Sequence, residues 1–303
     1  MSVEDFIIYV YCCVEDTCRT IVDQPLRSRG FMPKLSDAEV ITIEIVGEFM
    51  GKDQDQDQDQ DQDKGIWRYF RNHWHDWFPH LGSRANFAKQ GANLWDLKRR
   101  IQDHMAWQLG ALEDTIHLVD GFPMPVCKYA RASGSRCFKG ETGFSYCAAK
   151  DEKYYGFEGH VLISFEGIIC GYTFTAANVD ERDVLPEMAA GLHGLLIGDK
   201  GYIRPSLKQE LEQQGIDLQT PLRKNMQDIR SKAFVSLLMS SRRLVETVIG
   251  QLAERFHIEK VRARDTWHLA NRFIRKLLAH TMGCFLRRLM GNPILLFESL
   301  VEI

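Results

Sequence analysis

At Thr115 the apolar residues of this chain change period, and that switch limits the possible folds more than any other feature. Before it, apolar positions recur at helical spacing. Residues 1–23 read as one amphipathic helix and LSDAEVITIEIVGEFMG (35–51) as another, opened by Ser36 or Asp37 and stopped by Gly51. Helical patterning returns in LWDLKRRIQDHMAWQL (94–109). After the switch, apolar residues come in short runs. TIHLVDGFPMP (115–125) is a strand ending in Asp120 and a Pro/Gly break, and YYGFEGHVLISFEGIICGYTFTAA (154–177) is a hairpin turned at Glu166-Gly167. GLLIGDKGY (194–202) is a buried strand ending in Asp199. PSLKQELEQQG (205–215) reads as a helix, IDLQTP (216–221) as a last strand, and the chain from about Phe234 to Leu289 as helical.

Strands alternating with helices after an initial meander describe a mixed α/β sheet. The order strand, two-stranded hairpin, strand, helix, strand, helix is that of an RNase H-like domain: a mixed five-stranded sheet flanked by helices, here preceded by an all-helical N-terminal domain. The expected boundaries are 1–110 for the helical head, 111–290 for the sheet domain and 291–303 for a tail. With 303 residues and 45% apolar side chains, the chain can bury cores for one large and one small domain.

DQDQDQDQDQD, between Lys52 and Lys64, contains no apolar residue and is expected to form an exposed, disordered loop at 53–63 that carries no chemistry. GIWRYFRNHWHDWFPHLGSRANF (65–87) is dense in aromatics. Its His73, His75 and His80 fit the aromatic core and basic rim of a DNA-binding head better than a metal site, because His-x-His on a helix points its rings to different sides. The formal net charge of −3 hides an asymmetry: residues 1–66 hold 6 Lys/Arg against 15 Asp/Glu, whereas 221–290 hold 15 against 5. A basic face for a polyanion is one reading of that tail, and solvated helix surfaces are the other. Eight cysteines without a CxxC pair predict reduced thiols. No basic n-region precedes the first apolar run and no apolar run is long enough to span a bilayer, so a soluble intracellular protein is expected.

Asp120 and Asp199 each follow an apolar strand, where side chains of an open α/β sheet emerge into a crevice. A strand-end Asp alone is more often a turn former, but two on neighbouring strands can share Mg²⁺. Glu246 lies in SRRLVETVIGQLAERF, at the edge of a helical apolar stripe. It either completes the site or pairs with Arg242 at i, i+4, and the sequence leaves both open. Three carboxylates suit phosphodiester chemistry, in which two metals about 3.5–4 Å apart clamp the attacking and leaving oxygens of an in-line displacement. Asp120 would bridge both ions, while Asp199 and Glu246 would each hold one. Lys200, Arg223, Lys224, Arg242 and Arg243 are candidate phosphate contacts; Tyr202 and Asn225 stand beside them, and His160 either lines the site or packs.

LSDAEVITIEI (35–45), VDGFPMPVC (119–127), YYGFEGHVL (154–162), IGDKGY (197–202), TPLRKN (220–225) and RRLVETVIGQLAERFHIE (242–259) together resemble DDE transposases of bacterial insertion sequences, most closely the insertion sequence 982 family. The resemblance implies an RNase H-like catalytic domain, with the family triad on Asp120, Asp199 and Glu246. It also implies two Mg²⁺ or Mn²⁺ ions, DNA as partner (terminal inverted repeats and target), a homodimer on DNA and a cytoplasmic, DNA-associated protein without membrane contact. Of the related pattern Y-x2-R-x3-E-x6-K, Arg242 and Glu246 fit, whereas Met239 and Ala253 replace the Tyr and Lys. The expected activity is metal-dependent cleavage at transposon ends and strand transfer. A stand-alone RNase H-like nuclease, or an inactive or domesticated relic that only binds DNA, are the alternatives.

Overall fold

Ser36 starts its helix by a reciprocal pair of bonds: its side chain accepts from the Glu39 amide at 3.1 Å, and Glu39 Oε2 accepts from the Ser36 amide at 2.6 Å. The computed structural model describes residues 1–24, 26–27, 32–52, 62–147 and 150–302. Two units divide the chain, one of Met1–Met105 with Glu254–Ile303 and the other of Ala106–Ala253.

The first unit holds α1 (Val3–Ile21), α2 (Asp37–Phe49), α3 (Gln62–His73), α4 (Arg84–Asn93), α5 (Trp95–Gln108) and α9 (Thr266–Leu289). Every residue of α2 from Val40 to Phe49 is buried, including Glu44 and Glu48, so their charges need partners inside the protein. Arg275 of α9 supplies most of them: its Nε donates to Glu48 Oε1 at 2.5 Å, and Nη1 reaches Asp63 and Glu44. Lys276 pairs with Glu48 at 2.6 Å, and Lys98 of α5 with Glu44. Arg272 donates to Asp63 at 2.6 Å. Burial alone would raise the Asp63 pKa, but Arg275 and Arg272 hold it well below the usual carboxylate range.

Three sequence expectations change here. The basic excess of 221–290 is in part internal, since Arg272, Arg275, Lys276 and Arg287 are buried. The helix at 266–289 belongs with the N-terminal helices and not with the sheet, because its charged side chains answer the acids of α2. Residues 53–61 of the Asp-Gln repeat lie outside the described residues, but Asp63, placed by the sequence in an exposed loop, is a buried ion-pair partner in α3.

In the second unit, β1 (Ile116–Lys128), β2 (Gly143–Cys147), β3 (Glu152–Ser164), β4 (Ile169–Ala176), β5 (Gly194–Ile197) and β6 (Ile216–Gln219) form one sheet in the order β2-β3-β1-β5-β6, with β4 also paired to β3. β1 runs antiparallel to β3 and parallel to β5, and β5 runs parallel to β6. The mixed sheet therefore has six strands instead of five. The additional one, β2, is a short edge strand whose GFSYC lacks an apolar run to announce it. Gly167, with φ of +91°, supplies the left-handed position that turns β3 into β4.

β1 also runs eight residues past Asp120, where the sequence put its end. Pro123 and Pro125 are tolerated because β5 pairs only with residues 116–118, leaving that side of β1 without a ladder to break. One face of the sheet packs Val119, Leu162, Leu196 and Leu218 against Leu185 of α6 (Glu181–Met188) and Leu207 and Leu211 of α7 (Pro205–Gln213). α6 was not legible as a helix, being short and interrupted by Pro186. α8 (Lys232–Glu254) ends this unit. Among the described residues no helix is long and apolar enough to cross a membrane, and all eight cysteines are free.

Candidate active site

Leu118 pairs in register with Ile197, so Asp120, still within β1, and Asp199, just past the end of β5, each lie two residues beyond that pair. β5 stops at Ile197 and the chain turns away, opening a crevice at its carboxyl end while β1 continues along β3. Asp199 caps the following 3-10 turn, its Oδ1 accepting from the Gly201 amide at 2.5 Å. Asp120 Oδ1 accepts from the Gly121 amide at 2.9 Å.

Burial pushes Asp120 up to about 6. The Gly121 N–H works against that rise; the charges of Asp199 and Glu246 add to it, and Arg242 opposes it. Asp199, Glu246 and Arg242 thus all act on Asp120.

Two further carboxylates, which sequence reasoning missed, share that field. Glu158 lies on β3, two residues before His160, and is raised to about 7 by burial and then by Asp120. Its Oε1 would be 3.2 Å from a Cβ on Gly121, the residue after Asp120. Glu181, the first residue of α6, is raised to about 7 by burial and by Asp199, Glu158 and Asp120. The alternation of Glu158 and His160 on one strand face was the available signal for the first. Glu181 had none, since an acid in a helix's first turn is ordinary.

Glu246, on α8, is 56% exposed at its side chain and stands 3.6 Å from Arg242. It therefore makes the i, i+4 pair while also contributing to the field on Asp120. Arg242 Nε is buried without a hydrogen-bond partner. Lys200, Arg223, Lys224 and Arg243 are exposed. Tyr202, offered as a phosphate contact, is buried against Val119, Leu162 and Leu185 and cannot reach one at the surface. His160 is also buried; its Nε2 meets Thr175 Oγ1 at 3.0 Å, and burial lowers it to about 4, leaving it neutral.

The donor set, several oxygen ligands with too little positive charge to balance them, suits a hard divalent cation. As these side chains stand, no three His, Cys, Asp or Glu among the described residues converge closely enough to hold a metal ion.

The repulsion has a measurable consequence. Groups raised in the folded chain keep protons that the unfolded chain has already lost. Metal-free stability therefore falls as pH rises from the ordinary value of 3.8 to about 6 for Asp120, and on to about 7 for the two glutamates. Asp120→Asn should accordingly raise the metal-free melting temperature at about pH 8 and change it little at about pH 4. Melting curves at the two pH values check this; equal shifts at both would show that the charge is not the cause.

The sequence pattern of the family described as "Transposase DDE domain" matches residues 110–266, just over half of the chain. No curated protein and no solved structure matches.

Proposed function

The chain belongs to the transposase DDE domain family, and on that premise we propose that it is a DNA transposase that cleaves transposon ends and joins them to target DNA, with Asp120, Asp199 and Glu246 as its carboxylates. The finer placement in the insertion sequence 982 family is part of the same reading, supported by the segments quoted above. One observation supports it most: Asp120 within β1 and Asp199 just past the end of β5 each lie two residues beyond the last pair of the parallel β1–β5 register.

Cleavage of this kind breaks the bond between phosphorus and the bridging 3′ oxygen as a water oxygen attacks in line, leaving a 3′-hydroxyl. In strand transfer that 3′-hydroxyl is the attacking group at a second phosphodiester. Divalent cations, when bound, would supply the positive charge that offsets the pentacoordinate phosphate. Asp120 and Asp199, with Glu246 from α8, would hold them. Arg242, whose partly exposed guanidinium pairs with Glu246 at 3.6 Å and whose charge acts on Asp120, would bind a phosphate oxygen. His160, held neutral and tethered to Thr175, packs the floor without adding charge.

Exposed Arg223 and Lys224, in the segment after β6, are proposed as a backbone grip on DNA. The test is binding to the DNA that flanks the gene, against a scrambled duplex, across a salt series. The account expects preference for the flanking ends and a steep fall with salt. Replacing Arg223 and Lys224 with alanine should reduce the slope of log K against log salt by about 0.9 for each phosphate the protein no longer neutralises. An unchanged slope would move the DNA path elsewhere, and equal binding to both duplexes would favour a nuclease without end recognition.

A further inference from the structure

Glu181 sits among acids that are locally neutralised, yet it is not. Asp180, the N-cap of α6, accepts from Arg182 Nε at 2.8 Å and Nη2 at 2.6 Å, and from Arg204 Nη2 at 2.7 Å. Arg204 also holds Asp183. Glu181, between them in sequence, forms no salt bridge among the described residues and feels only the charge of Arg182, whose guanidinium is held by Asp180. An acid in the first turn of a helix gains about 0.3–1 kcal/mol from the helix dipole while facing solvent, so that role gives no reason to bury it.

The side chain turns inward, toward Asp199. A Cβ on Gly201 would collide with Glu181 Oε1 and would also stand 2.7 Å from Asp199 Oδ1. The two carboxylates thus close on the one place in the turn where the chain has no side chain. A second, independent group points the same way. Tyr202 is 1% exposed, and its hydroxyl, which makes no hydrogen bond among the described residues, faces Glu181, Asp120 and Asp199. A buried hydroxyl without a partner and two crowded carboxylates without a counter-ion are both unfavourable.

We propose that Glu181 is a fourth carboxylate of the site, sharing a divalent cation with Asp199, and that the Tyr202 hydroxyl is a positioning group that fixes the Glu181 carboxylate. The inference rests on the proposed function for the presence of the cation. It adds a ligand that the sequence triad does not contain. It would add an oxygen ligand from α6, so that Glu246, which is largely exposed, need not complete the donor set alone.

The experiment titrates Mn²⁺ alone into the metal-free full-length chain, without DNA, and reads free Mn²⁺ by electron paramagnetic resonance. Glu181→Gln should weaken binding by at least about 10-fold, and Tyr202→Phe by a smaller factor in the same direction. Glu181→Asp, which keeps the charge on a shorter arm, should fall between wild type and Glu181→Gln, and it carries the test should Glu181→Gln fail to fold. Wild-type affinity in Glu181→Gln or Glu181→Asp, with affinity lost in Asp199→Asn, would overturn the inference and leave the proposed site standing. If Asp120→Asn and Asp199→Asn also bind as wild type does, the carboxylate site itself falls, and this inference with it.

Discussion

Arg275→Ala should cost the helical unit about 3–5 kcal/mol, enough to unfold it near physiological temperature. Arg275 is fully buried and its guanidinium reaches Glu48, Asp63 and Glu44 at once. Removing it takes from three buried carboxylates a shared cation, although Lys98, Lys276 and Arg272 stay beside them. The destabilisation is therefore that of uncompensated charge and not of missing packing. Arg275→Lys should recover only part of it, because a single ammonium cannot fork across Glu48 and Asp63. Chemical denaturation of the full chain, read by circular dichroism, checks both variants. A loss below about 1 kcal/mol for Arg275→Ala would place the network in the class of solvated pairs and refute its structural role.

That network also explains why some of the molecule was legible in the sequence and some was not. Local signals carried well. Ser36 and Glu39 announce a capping box, Gly167 a hairpin turn, and the apolar run at 194–197 a buried strand, because each depends on residues within a few positions of itself. Long-range partners carried poorly. Nothing near Asp63 reveals that Arg272 and Arg275, some two hundred residues away, will bury it, so it was grouped with the solvated repeat it ends. The same holds for part of the basic count of the C-terminal segment: Arg275 and Lys276 meet the acids of α2, and Arg272 meets Asp63. β1 misled for a different reason: Pro123 and Pro125 are breakers in a fully paired strand but not where one edge is open. In the candidate site, Asp120 and Asp199 could be singled out because each follows an apolar strand, whereas Glu158 and Glu181 come near Asp120 only through the folded geometry.

The central claim, that this carboxylate crevice cuts DNA, is tested most directly by single-turnover nicking of an end-labelled duplex carrying the gene's flanking DNA. Wild type should nick in Mg²⁺ and in Mn²⁺ and be silent in chelator. Asp120→Asn removes the charge while keeping a side-chain oxygen to accept from the Gly121 amide, so nicking should fall by at least about 10²–10³-fold without loss of fold. Glu246→Gln separates its two roles in the same assay. A ligand would show a comparable collapse, and a surface partner of Arg242 would lose only a few tenths of a kcal/mol of stability, on the order of 0.3, with nicking unchanged. Nicking in Mg²⁺ that is abolished by Asp120→Asn in a chain that melts at or above the wild-type temperature is the result the account predicts; an Asp120→Asn protein that nicks as wild type does would contradict it.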